Sequence, residues 1–179
     1  MNELHTRCLD TFPEWLRSLG TDALDLGALL DGEAIPQESR RHVAGALNYL
    51  FKSLDLIPDG IEDLGFLDDA FVLRVAAKNA LGGFDGEPPA VLTRLAAEVP
   101  LVEELLGDDY ARLAKYVGHL VNGAARGRTT DEIVGDESVR SAFLTEVGSW
   151  AASYAAPTFS RDEKNIVKLA SFLSAKLPQ

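Results

Sequence analysis

Apolar residues recur along this chain at the helical period and almost nowhere at the strand period. Phe12, Trp15, Leu16 and Leu19 fall at i, i+3, i+4 and i+7, one face of an α-helix. Val43, Leu47, Leu50 and Phe51 share a face, Leu67, Phe71 and Val75 lie four apart, and Val139, Phe143, Val147, Trp150 and Tyr154 repeat by threes and fours. Few stretches alternate apolar with polar or carry the β-branched bulk of strands, and Ala and Leu favour helix. The pattern predicts an all-α fold: a compact bundle of eight or nine helices, with no sheet. It reads as a single domain over 1–179. Within it lie a helical hairpin at 40–81, a possible linker at 82–89 and a C-terminal helical half at 90–179.

Local signals set the expected boundaries. Gly20 reads as the stop of a first helix over 9–19, with a short helix over 22–30 after it. Pro36 suits the first turn of the next, which should end near Ser53. A helix over 67–81 stops at Gly82-Gly83, and a short one at about 89–98 precedes Pro100. A long helix over about 101–124 carries a possible break at Gly107-Asp108-Asp109. Thr129 with Glu132, and Ser160 with Glu163, have capping-box spacing. Pro157 ends a helix over about 137–155.

Charge excludes several function classes. The 179 residues hold 28 acids against 17 bases, a net −11, the wrong sign for a phosphate backbone or for electrostatic docking on anionic lipid. A lone cysteine, Cys8, rules out a disulfide framework and a multi-cysteine zinc site. It reads as a small packed hydrophobe. No secretory leader pattern opens the sequence and no apolar run is long enough to span a bilayer, so a cytoplasmic protein is expected. His5, His42 and His119 are scattered without a zinc-hydrolase spacing. Neither a nucleophile elbow nor a phosphate-binding Gly-Lys loop occurs.

The acidity is local. Residues 1–90 carry 16 acids and 7 bases, a net −9. Between 53 and 69 stand Asp55, Asp59, Glu62, Asp63, Asp68 and Asp69 with no base beyond the flanking Lys52, interleaved with Leu54, Leu56, Ile57, Ile61, Leu64, Phe66 and Leu67. A solvated loop would not be this apolar. Asp55-Leu56-Ile57-Pro58-Asp59, then Leu64-Gly65-Phe66-Leu67-Asp68-Asp69, preceded by Leu47-Asn48-Tyr49-Leu50, resembles the signature of the YkvA-like bacterial family, domain of unknown function 1232. The resemblance covers about 40–80. It implies a small helical module, often in bacteria and sometimes beside membrane segments, with no established activity.

Two readings of the acids follow from chemistry. In one, Asp59 caps a short turn, Asp68 or Asp69 sits in the first turn of the next helix, the leucines and isoleucines plug the hairpin end, and Arg40, Arg41, Lys52 or Arg74 neutralise the charge. In the other, Asp55, Asp59, Asp63, Asp68 and Asp69 hold Mg²⁺, Mn²⁺ or Ca²⁺ through oxygen ligands; a carboxylate pair in acid–base work is a variant of it. The Phe12–Trp15 stripe reads as core or as an aromatic docking surface. Arg126 and Arg128 with Lys115 form a basic cluster suited to a small anion or an acidic partner. The expectation is a non-enzymatic interaction or regulatory protein with a protein partner. A metal-binding module or metal-dependent enzyme is the alternative, and a peripheral membrane protein the third.

Overall fold

The computed structural model describes residues 2–32, 34–52 and 55–179. The chain is mostly helical. Helix α1 (Glu3–Ala28) opens at Asn2, whose side chain accepts the His5 backbone N–H at 2.7 Å. It runs through Pro13 and through Gly20, the expected stop. A glycine costs a helix only about 1 kcal/mol. Against that, α1 buries Phe12, Trp15, Leu16, Leu19, Ala23 and Leu26 along one continuous stripe, so the two expected helices are one.

Helix α2 (Gln37–Tyr49) starts after Pro36 as expected. Ser53, its expected end, and Leu54, an expected plug of the hairpin, lie outside the described residues. Helix α3 (Leu67–Leu81) keeps its expected bounds but not an amphipathic character: every residue from Leu67 to Ala77 is buried. A helix covered on all sides is the centre of its fold. Helices α1 and α2 pack on α3, as do α4 (Ala90–Ala97), α5 (Val99–Leu106) and α6 (Tyr110–Gly118).

The long helix expected over 101–124 is broken. Gly107, at φ 54°, ends α5 and starts a 3₁₀ turn over Gly107–Asp109, and a second 3₁₀ turn covers His119–Asn122 after α6. A small sheet also corrects the expectation of none. Strands β1 (Ala124–Ala125) and β2 (Arg128–Thr129) pair antiparallel. Arg126 (φ 49°) and Gly127 (φ 77°) between them both take positive φ, as the tightest hairpin turns require.

Helix α7 (Thr130–Gly135) has the capping box read from Thr129 and Glu132. Helix α8 (Glu137–Ser153) lies against α1. Helix α9 (Glu163–Lys176) is capped by Asp162, which accepts from Lys164 N–H at 2.9 Å, and not by Ser160.

The core settles the aromatic stripe. Phe12 and Trp15 are buried and meet the Phe71 ring edge-on at 5.3 and 5.9 Å. They are core and form no docking surface, because α1 turns this face onto α3. The Arg74 guanidinium lies 4.1 Å from the Trp15 ring, 3.6 Å from Asp22 and 3.5 Å from Glu98. Among the described residues no helix is long and apolar enough to cross a membrane.

Candidate functional site

The acidic segment folds over the N-terminal end of α3. Leu56, Ile57 and Leu64 are buried there, the apolar plug expected of this hairpin end. Ile61 N–H reaches Pro58 O at 3.1 Å and Gly65 N–H reaches Ile61 O at 2.9 Å, which curls the chain tightly. The curl requires glycine at 65: a Cβ there would stand 2.2 Å from the Asp59 carbonyl oxygen. Asp63 (φ 67°) and Phe66 (φ 68°) are both left-handed, a conformation uncommon for non-glycine residues. Phe66 is the residue that drops the chain into α3.

This path places Asp68 and Asp69 in the first turn of α3, both inside the protein at 1 % and 2 % exposure. The positive end of the helix dipole favours them there. Tyr49, near the end of α2, ties the loop to the helix. Its hydroxyl donates to Asp68 Oδ2 at 2.6 Å and accepts the Leu56 N–H at 2.7 Å, while Ile57 N–H donates to the same Asp68 oxygen at 3.3 Å. The other oxygen of Asp68, one oxygen of Asp69 and one of Asp55 are buried with no hydrogen-bond partner.

The expected counter-ions go elsewhere. Arg40 donates to Leu30 O, Arg41 pairs with Glu38 and Asp131, Arg74 with Asp22 and Glu98, and Lys52 donates to the Tyr116 hydroxyl. Among the described residues Asp55, Asp59, Asp68 and Asp69 therefore form no ion pair. Asp59 makes no capping bond there either. Its expected turn is closed by backbone groups.

The electrostatics follow. Burial, then the neighbouring Asp68 and Asp59 charges, push the Asp55 carboxyl up to about 7. Burial raises Asp59. Burial raises Asp68 to about 6, partly opposed by the Tyr49 and Ile57 hydrogen bonds. Asp69 is raised well above the usual range by burial and by Asp68, Asp59 and Asp55 in turn. Like charges without a counter-ion disfavour ionisation in just this way.

Asp63, the fifth expected metal ligand, stands apart: its carboxylate accepts the Ser160 N–H at 2.7 Å. Among the described residues no group of three or more His, Cys, Asp or Glu side chains is already arranged to hold a metal ion. A cation here would be held by a carboxylate pair with its own waters, as Mg²⁺ often is, or would draw the rim acids inward. An open cleft of about 590 Å³ adjoins the cluster, with Asp59 and Lys52 on one wall and residues 124–127 on the other.

The remaining candidates are structural. His5 bonds Glu163 at 2.7 Å, and His42 lies 3.7 Å from Glu38. Cys8 is buried, which raises its thiol to about 11. Arg126 and Arg128 share Glu146 and lie over the Phe51 ring. Tyr49 enters the sequence pattern only as part of the family resemblance, with no chemical role attached. The available signal was chemical: a tyrosine on a buried helix face needs a partner for its hydroxyl, and acids lay within twenty residues.

The segment that builds this cluster also matches a family model. Residues 41–74 match the model of a family described as a protein of unknown function (DUF1232). The match contains Tyr49 and all four clustered aspartates. No curated protein and no solved structure matches the chain.

Proposed function

We propose that this protein is a non-enzymatic binding and regulatory module, and that the acidic end of α2 and α3 takes a divalent cation, Mg²⁺, Mn²⁺ or Ca²⁺, as its effector. One observation carries the reading. Asp68 and Asp69 are inside the protein, each with an oxygen that no donor reaches, and Asp55 beside them has a third such oxygen. A buried acceptor without a partner is destabilising, and buried charges are ordinarily paired or coordinate a metal. Hard cations take oxygen ligands of this kind. Tyr49 and Asp68 link the cluster to the backbone at Leu56 and Ile57. A cation that draws Asp55 and Asp59 toward Asp69 therefore moves the loop and the rim of the adjoining cleft, the route by which occupancy would reach a bound protein.

Calorimetric titration of the full chain with each ion, alongside thermal melting, tests this. The expected result is saturable heat with at least one ion, a rise in melting temperature, and loss of both in Asp69→Asn. Absence of heat and of any melting shift with all three ions overturns the proposal, as does an Asp69→Asn variant that binds like the parent.

A further inference from the structure

A second pocket has the opposite character. It holds about 160 Å³ between the end of α2, helix α6 and the 3₁₀ turn at His119–Asn122. Lys52, Arg112, Lys115 and His119 line it with Tyr116, Pro178 and Gln179 close another side, and no Asp or Glu side chain lines it. In a chain with 28 acids and 17 lysines and arginines, three of those bases and a histidine around one hollow without an Asp or Glu in its lining stand out. Their commitments differ. Arg112 donates to the Leu177 and Pro178 carbonyl oxygens and pairs with Asp109, so it supplies positive field more than free donors. Lys52 donates to the Tyr116 hydroxyl at 3.1 Å, with its ammonium over that ring, and makes no ion pair among the described residues, although its charge is felt at Asp55. Among the described residues Lys115 and His119 have no ion pair, and both are exposed at the mouth.

We propose that this pocket binds a phosphoryl group, as inorganic phosphate or as the phosphate monoester of a small soluble molecule. Size points this way: the hollow is smaller than the roughly 300 Å³ at which pockets for drug-sized ligands begin. Charge points the same way. A phosphate monoester carries about −1.5 to −2 at neutral pH with three acceptor oxygens, which suits several fixed cations better than a single carboxylate does. Lysine ammonium groups bind phosphate as point charges without demanding one geometry. The pocket shares Lys52 with the cleft beside the acidic cluster, but its binding rests on no cation there.

Phosphorus NMR and calorimetric titration of the full chain with inorganic phosphate and glycerol phosphate, in chelator at fixed ionic strength, test the proposal. Saturable binding is expected. Lys115→Ala with His119→Ala, at two exposed positions that pack little, should weaken it at least about tenfold, whereas Lys168→Ala on exposed α9 surface should not. Phosphatidic-acid vesicles form a separate arm. Capture by vesicles without binding of either soluble phosphate overturns the proposal. So does the absence of saturable binding, or an unchanged affinity in the double variant.

Discussion

Asp69 and Arg74 stand five residues apart on α3, and both are shut away from water. Around Arg74 the fold gathers Asp22 at 3.6 Å and Glu98 at 3.5 Å, with Trp15 under the guanidinium and Arg94 holding the far oxygen of Asp22 at 2.6 Å. Around Asp69 it gathers Asp68, Asp59 and Asp55, and no base pairs with any of them among the described residues. The difference is not a shortage of cations, since Arg40, Arg41 and Lys52 all lie in the same stretch of chain and bond elsewhere. One end of the helix buries an arginine with two acids at ion-pair distance, although its Nε and Nη2 make no hydrogen bond among the described residues. The other buries charge of one sign, which works against the fold and leaves acceptors open. Stability given up at one place is commonly tied to function there.

Removing Arg74 should produce the largest effect. Arg74→Met takes from Asp22 its buried partner and from the part-exposed Glu98 one of its two arginines, while Asp22 keeps Arg94 and Ser18, so a loss of about 2–3 kcal/mol is expected. Urea unfolding of the variant checks this. A loss below about 1 kcal/mol would make the Arg74 network no different from a surface pair and break the comparison.

The acidic end should respond to pH with a definite sign. Asp55 and Asp68 titrate near 7 and near 6 in the folded chain, above an unfolded value of roughly 3.9. The native state therefore binds more protons than the unfolded state across this window, and stability falls as pH rises. The stabilising contribution of these carboxyls is complete below about pH 4 and lost as pH climbs through 6 and 7. Urea midpoints measured in chelator from pH 5 to 7.5 should decline, and Asp69→Asn should flatten the decline by removing a carboxyl that the fold raises well above its usual range. Midpoints that rise over this range, with the same slope in Asp69→Asn, would show that the four carboxyls do not repel one another.

Periodicity made the helical class legible, because a stripe at i, i+3 and i+4 is a direct image of a buried face. It placed α3 near its observed bounds, and capping spacing placed the Thr129–Glu132 box. It split α1 at Gly20, since local propensity is weak beside the packing of Trp15, Leu19 and Ala23. It also missed the ribbon at 124–129, where two-residue strands are too short to show alternation. At the acidic segment the sequence placed the right carboxylates and the apolar plug. It could not say which acids converge: Asp63, on a left-handed backbone, accepts the Ser160 N–H away from the other four. Nor could it find the partners of Arg74, which come from α1 and from the end of α4, 52 and 24 residues away in sequence.

The smallest effect is expected at Arg94, and it sharpens the account of which arginine serves Asp22. Arg94 makes the shorter contact, 2.6 Å against 3.6 Å for Arg74, yet 47 % of its side chain is exposed while that of Arg74 is 1 % exposed. Distance alone would rank Arg94 first. Screening by water ranks it second, because an exposed partner gains little from pairing. In Arg94→Gln, Asp22 keeps Arg74 and the Ser18 hydroxyl at 2.9 Å, so a cost of about 0.5–1 kcal/mol is expected. The double variant with Arg74→Met should cost more than the two single changes added together, since each arginine alone still covers Asp22. A urea series over the four proteins measures that coupling. If Arg94→Gln costs as much as Arg74→Met, Asp22 depends on its surface partner, and the compensated end of α3 owes its stability to the rim of the protein and not to the buried guanidinium.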